Sequence, residues 1–261
     1  GTTNGTGSAA KFNYPTGVAV NSNGDVYVAD KDNNMIRKIT AEGVVTTFAG
    51  STTALPGSSD GQGTDARFNQ PWGLTFDYLG NLYVADSGNH TIRRITSTGL
   101  VKTVAGLAGT SGFVNGVGSY ARFNFPFSIA IDTNGFLYIS DLTNHVVRQI
   151  ILTNRSSTSS GGTSTSNEEI ATVTTFAGMG VPGYQNGAAV ASKFNSPEGI
   201  TIDPAGNLYV ADSLNNTITD LRAQVQTEIN NRLSIEQTND VLANQIDTLT
   251  GTINDFTGQI S

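Results

Sequence analysis

RFNQPWGLTFDYLGNLYVADSGNHTIRRIT, residues 67–96, has three relatives within the same 261-residue chain. They are KFNYPTGVAVNSNGDVYVADKDNNMIRKIT at 11–40, RFNFPFSIAIDTNGFLYISDLTNHVVRQII at 122–151 and KFNSPEGITIDPAGNLYVADSLNNTITD at 193–220. Self-similarity at a fixed period means one supersecondary unit stacked on copies of itself. The copies start at Phe12, Phe68, Phe123 and Phe194, separated by 56, 55 and 71 residues. Most of the extra length in the last interval is a Ser/Thr/Gly tract at 153–166. Such a tract has too little apolar surface to order itself, and it is expected to form a flexible surface insertion.

Inside a copy, the runs Gly17 to Val20, Val26 to Asp30, Met35 to Thr40 and Val44 to Ala49 are rich in Val, Ile, Tyr and Phe and bounded by Gly, Asn, Asp or Pro. Each reads as a strand between tight turns. The glycines in Asn23-Gly24, Leu79-Gly80, Asn134-Gly135 and Ala205-Gly206 fall where a hairpin connection needs positive φ. Four antiparallel strands per unit, repeated without an intervening helix, describe the blade of a β-propeller. The predicted fold is therefore an all-β propeller segment of about three and a half copies over 1–217, followed by a helix.

The pattern F-N-x-P-x-G, then D-x-x-G-N-L-Y-V-A-D-S-x-N and I-R-x-I-T, resembles the NHL repeat, and residues 68–96 match it most fully. The resemblance spans residues 8 to 219. It implies a propeller, and much less about activity, because such folds host unrelated functions. Propellers of this kind include adhesive modules, intracellular protein- and RNA-binding modules and a lyase; related six-bladed propellers include lactonases.

The fourth copy departs from the pattern after Ile218: Thr219 stands where the family motif has Arg, and no outermost strand follows. The opening Asn4 to Ala10 matches Asn115 to Ala121, which points to an earlier blade before Gly1. Three and a half blades leave three arrangements open: a piece of a longer chain, a small four-bladed ring, or a ring shared by several chains.

From Ile218 the apolar period changes from two to three and a half. With Ile218 at position a, the a residues are Ile218, Val225, Arg232, Asn239, Ile246, Ile253 and Ile260, and the d residues are Leu221, Glu228, Ile235, Leu242, Leu249 and Phe256. Ten of these thirteen positions are apolar, which predicts a coiled-coil helix over 218–261. A helix this long needs a partner, and an identical copy is the economical one. A homo-oligomer is expected, with Asn239 fixing the register; Ile at a with Leu at d tends toward dimers, and it is the resemblance to attachment fibres, usually trimers, that favours a trimer.

Charged residues make up 13% of the chain, against a usual ~25%. Of the formal charge of −7, the helix carries −4 and the propeller −3. Neither offers the basic face that phosphate neutralisation requires, so nucleic acid is excluded as a partner. There is no apolar run long enough to span a membrane and no cysteine. A surface polar without charge suits an extracellular or virion-surface protein, a fibre or spike binding another macromolecule, protein or glycan.

Chemistry-bearing residues are few. His90 and His145 occupy the same repeat position, which predicts a turn role rather than catalysis. Asp30, Asp86, Asp141 and Asp212 could be read as calcium ligands of the lactonase kind. The first three, however, are each followed seven residues later by Arg37, Arg93 and Arg148, a spacing that places both groups on one face of a hairpin. Structural carboxylate–guanidinium pairs between blades are the better reading. No catalytic, cofactor or metal residue is assigned. Trp72, which replaces Thr16, Phe127 and Glu198 of the other copies, is the candidate binding anchor.

Overall fold

The computed structural model describes residues 1–158, 165–187, 189–221, 230 and 234, and divides into two units, Gly1–Asp220 and Leu221–Ser261. The first unit consists of four blades. Blade 1 contains β1 (Gly5–Thr6), β2 (Pro15–Val20), β3 (Val26–Asp30), β4 (Met35–Ile39) and β5 (Val44–Gly50). Blade 2 contains β6 (Gly61–Gln62), β7 (Pro71–Phe76), β8 (Leu82–Asp86), β9 (Thr91–Ile95) and β10 (Leu100–Ala105). Blade 3 contains β11 (Gly116–Val117), β12 (Pro126–Ile131), β13 (Leu137–Asp141), β14 (Val146–Thr158) and β15 (Thr165–Ala177). Blade 4 has β16 (Pro197–Ile202), β17 (Leu208–Asp212) and β18 (Thr217–Asp220).

Each complete blade has five antiparallel strands, in the order β1-β5-β4-β3-β2 for blade 1 and its equivalents for blades 2 and 3. The fifth, two residues long, comes from the segment preceding the inner strand. Asn4 to Ala10, read from sequence as the tail of an earlier blade, thus supplies β1 on the outer edge of blade 1. The hairpin between β7 and β8 turns at Gly80, whose φ of +82 a Cβ would oppose. The equivalent glycines of the other blades behave alike.

Two expectations are corrected. The polar tract 153–166 is drawn largely into the sheet: β14 and β15 pair from Val147 to Thr158 against Ala177 to Thr165, leaving only 159–164 outside the described residues. Backbone hydrogen bonds along a hairpin do not require apolar side chains, so composition alone misplaced this segment. Ile218, taken as the first a position of the helix, lies in β18 opposite Ala211. The alternation Thr217-Ile218-Thr219-Asp220 continues the blade, and the boundary between units moves to 220/221. Of the second unit, Leu221 is buried and Asn230 and Ser234 are exposed. The remaining seam positions, from Val225 to Ile260, and with them the coiled coil, lie outside the described residues.

Blades meet face to face through apolar layers. Phe68 and Leu74 of blade 2 pack with Tyr27, Ala29 and Ile36 of blade 1; Phe123 and Ile129 of blade 3 pack with Tyr83, Ala85 and Ile92 of blade 2. A buried Phe side chain contributes roughly 1.5–3 kcal/mol, so the recurrent Phe acts as the main adhesive between blades. Side chains on the two end faces are more exposed than their counterparts between blades. Val18 is 60% exposed where Leu74, Ile129 and Ile200 are 8%, 4% and 8%, and Ile218 is 69% exposed where Ile36 and Ile92 are fully buried.

Candidate functional site

The inner strands surround a cavity of 460 Å³ lined by Gly17, Val18, Gly73 to Thr75, Ser128 to Ile131 and Ile200 to Ile202. This lining contains no histidine, aspartate or glutamate. Among the described residues no three such side chains cluster as a metal site would require. The acidic residues at the ends of β3, β8, β13 and β17 face the interior of the blades instead.

There, three equivalent cages occur, differing in one acceptor, Asp60 in blade 2 against Asn4 and Asn115 in blades 1 and 3. Arg93 Nη1 donates to Asp86 Oδ2 at 2.8 Å and to the Arg67 carbonyl at 2.9 Å; Arg93 Nη2 donates to the Ser59 carbonyl at 3.0 Å and Asp60 Oδ1 at 2.9 Å. Blade 1 repeats this with Arg37, Asp30, Lys11, Thr3 and Asn4, and blade 3 with Arg148, Asp141, Arg122, Val114 and Asn115. Each guanidinium also lies over a Phe ring: Phe12, Phe68 or Phe123, at 5.0, 5.2 and 5.1 Å. All six charged side chains are fully buried. The second carboxylate oxygen receives the backbone N–H of Asn13, Asn69 or Asn124. A side-chain amide from Asn33, Asn89 or Asn144 completes the shell. Burial pushes the carboxyls of Asp86 and Asp141 up to about 6, against the pull of their Arg, backbone and Asn donors, so both are charged at neutral pH. The pairs lie within single blades rather than between blades as the sequence suggested: Arg37 stands opposite Val28 and Asp30 opposite Met35, on adjacent strands of one sheet. Each of these three carboxylates is thus held by three donors of the chain, two on Oδ2 and one on Oδ1.

The histidines join blades. His90 Nδ1 accepts the N–H of Phe125 and His145 Nδ1 that of Ser196, each at 3.1 Å. Asn34 Oδ1 does the same for Gln70 at 2.9 Å. Each acceptor sits in the left-handed conformation, with φ between 54 and 58. Burial lowers the pKa of both imidazoles.

Trp72 stands at the start of β7, half-buried, within a row of side chains from three blades. Its ring is 4.1 Å from that of Phe127 and 6.4 Å from that of Tyr14, which is 61% exposed. Lys31 Nζ lies 4.5 Å from the Tyr14 ring and 5.0 Å from the Trp72 ring. Sequence singled out Trp72 alone. Tyr14 and Lys31 escaped notice because their proximity depends on how neighbouring blades abut. The backbone beneath the row is fixed by Thr16 Oγ1 donating to the Trp72 carbonyl at 3.2 Å and Ser87 Oγ to the Pro126 carbonyl at 2.5 Å. This rigid aromatic row, exposed at Tyr14 and half-buried at Trp72 and Phe127, can stack against planar or apolar faces of a ligand, while Lys31, ion-paired with Asp32 at 2.9 Å, packs over its Tyr14–Trp72 end.

Residues 12–39, 68–95 and 194–219 match the NHL repeat, so the chain carries NHL repeats built into a four-bladed β-propeller. Residues 122–150 fall outside the matched stretches yet fold as blade 3 with the same cage. NHL repeat-containing protein 2 of Bos taurus is 34% identical over 157 residues, 55% of this chain and 21% of that protein. Teneurin-1 of Gallus gallus is 31% identical over 225 residues, 80% of this chain and 8% of that protein. The chain therefore spans only a minor part of either relative. Among solved structures, an auxiliary nutrient binding protein from Bacteroides ovatus ATCC 8483 superposes with a TM-score of 0.58 at 22% identity, covering 81% of this chain and 48% of that one.

Proposed function

We propose that this propeller is a non-enzymatic binding head, displayed on an extracellular or virion-surface fibre, whose Tyr14–Trp72–Phe127 row docks a protein or glycan. The observation that carries this reading is that row: large rings from three blades held side by side on a rigid backbone, with Tyr14 largely exposed and Lys31 above them. The heptad pattern beyond Asp220 supports assembly into a homo-oligomer, and the resemblance to attachment fibres favours a trimer.

Two measurements test this. The whole chain and its Trp72→Ala and Tyr14→Ala variants are presented to immobilised panels of glycans and cell-surface proteins; specific binding that falls at least about tenfold in either variant is expected, as for a hot-spot aromatic. Binding indifferent to both, or metal-dependent lactone hydrolysis lost on changing Asp30, Asp86, Asp141 or Asp212, would replace the reading. Light scattering of the chain ending at Asp220 should give a lower mass than that of the full chain, and equal masses would remove the oligomeric stalk.

A further inference from the structure

Blade 4 repeats the cage of blades 1–3 and changes one residue of it. Asp212 is fully buried; its Oδ1 accepts the N–H of Asn195 at 2.6 Å and its Oδ2 the amide of Asn215 at 2.7 Å. Asn215 bridges onward to the Gly183 carbonyl at 2.7 Å, as Asn89 does to Gly57 and Asn144 to Gly112. Lys193 and Gln185 exchange backbone hydrogen bonds of 3.0 and 3.4 Å, matching the 3.0 and 3.5 Å exchange of Arg122 and Val114. Phe194, the floor on which the guanidinium lies in the other blades, is fully buried. By register, the two carbonyls that receive Arg148 in blade 3 correspond to those of Lys193 and Gln185, and Asn115 corresponds to Asn186.

Thr219, opposite Val210, occupies the position held by Arg93 opposite Val84 and Arg148 opposite Ile139. Its side chain ends at the γ position and carries no charge. Asp212 is consequently a fully buried carboxylate with no cationic partner among the described residues. Leaving such a group uncompensated is costly. The outer strand that closes this corner elsewhere, through Thr47 to Asn4, Thr103 to Asp60 and Thr175 to Asn115, has no described counterpart in blade 4. Gln185 and Asn186 are exposed there.

We infer that blade 4 is a receptor site for a guanidinium group supplied from outside the repeat, an arginine side chain of a partner or a free guanidinium compound. Asp212 provides the charge, the Lys193 and Gln185 carbonyls and Asn186 the acceptors for the planar fork, and Phe194 the stacking floor. An ammonium does not match this geometry, because its donors do not lie in one plane and cannot reach the carboxylate, both carbonyls and Asn186 as a flat fork does. The site is separate from the aromatic row, and its test is independent of any partner bound there.

Thermal unfolding of the whole chain in ethylguanidinium chloride is compared with unfolding in ethylammonium chloride at equal millimolar concentration. Ethylguanidinium should raise the midpoint by about 2–4 °C at saturation, and ethylammonium should leave it in place. Equal responses, or none to either, would overturn the site. Thr219→Arg completes the cage within the chain and should raise the midpoint unaided while abolishing the ethylguanidinium response; a retained response would place binding elsewhere. Asp212→Asn keeps the shape and should also lose the response. Arg222→Ala should respond as the parent does, whereas a response gained only in that variant would mean that the chain fills the site itself. An acetylated Thr-Arg-Thr amide that acts at lower concentration than ethylguanidinium assigns the site to a partner's arginine, and equal potency assigns it to free guanidinium compounds.

Discussion

In blade 2, Asp86 meets Arg93 at 2.8 Å; in blade 4, Asp212 is as deeply buried and Thr219 stands at the position of that arginine. Both carboxylates nevertheless keep the same backbone N–H and the same Asn amide, within 0.2 Å of each other. The donors that persist come from turns adjacent in the repeat, Asn three residues after the Asp and the F-N segment before the inner strand. The donor that is lost comes from the third strand. The comparison teaches that the turns place the carboxylate and that Arg then neutralises it while tying it to the outer edge of the blade.

The largest expected effect breaks that tie. Arg93→Ala leaves Asp86 buried without its counter-charge and strips donors from two carbonyls and Asp60, and should cost about 3–5 kcal/mol in urea unfolding, with Asp86→Ala of similar size. The corresponding change in blade 4, Thr219→Ala, removes no charge and should stay below about 1 kcal/mol. Equal losses in the two blades would mean that the guanidinium is dispensable. Asn89→Ala comes next. It unseats one donor shared by Asp86 and the Gly57 carbonyl, and about 1–3 kcal/mol is expected. Asn215→Ala, in the more open blade 4, should cost less.

The smallest effect concerns pH. His90 and His145 have pKa values lowered by burial and accept at Nδ1, a bond that protonation removes. The unfolded chain therefore binds more protons than the folded one around the ordinary histidine pKa of 6.5, and stability present above it declines as pH falls toward the folded value. Between pH 8 and pH 6 the melting temperature should drop by a few degrees. Replacing both with Asn, which already performs this role at Asn34, should flatten the profile with little loss at pH 8. A double variant that remains as sensitive would shift the titration to other groups. The raised carboxyls of Asp86 and Asp141, half protonated at about pH 6, act in the opposite sense within the same window, so the test is the difference in slope between the parent and the double variant.

Sequence and structure divide at identifiable residues. The recurrent Phe12, Phe68, Phe123 and Phe194, the hairpin glycines and the seven-residue Asp-to-Arg interval were all legible, because each is a short-range pattern repeated in register. The fifth strand of each blade was not. Gly5–Thr6, Gly61–Gln62 and Gly116–Val117 are two residues long and have no apolar alternation, and only their pairing with β5, β10 and β15 reveals them. Ile218 was misread for the converse reason: one apolar residue satisfies both a two-residue and a heptad period, and the register of β17 decided between them.

The chain by itself determined that it would stack twisted four-stranded units, where they begin, and which carboxylate goes with which arginine, since all of these depend on contacts within about 35 residues. Only the tertiary structure decided that the Asp–Arg pairs close within a blade, that Tyr14, Lys31, Trp72 and Phe127 form one row, and that Asp212 is buried without an arginine. The row depends on how blades abut, through contacts between residues 55 and 56 apart that no local pattern encodes, whereas the geometry of the Asp–Arg pairs, seven residues apart, is settled by which strand faces and edges are covered.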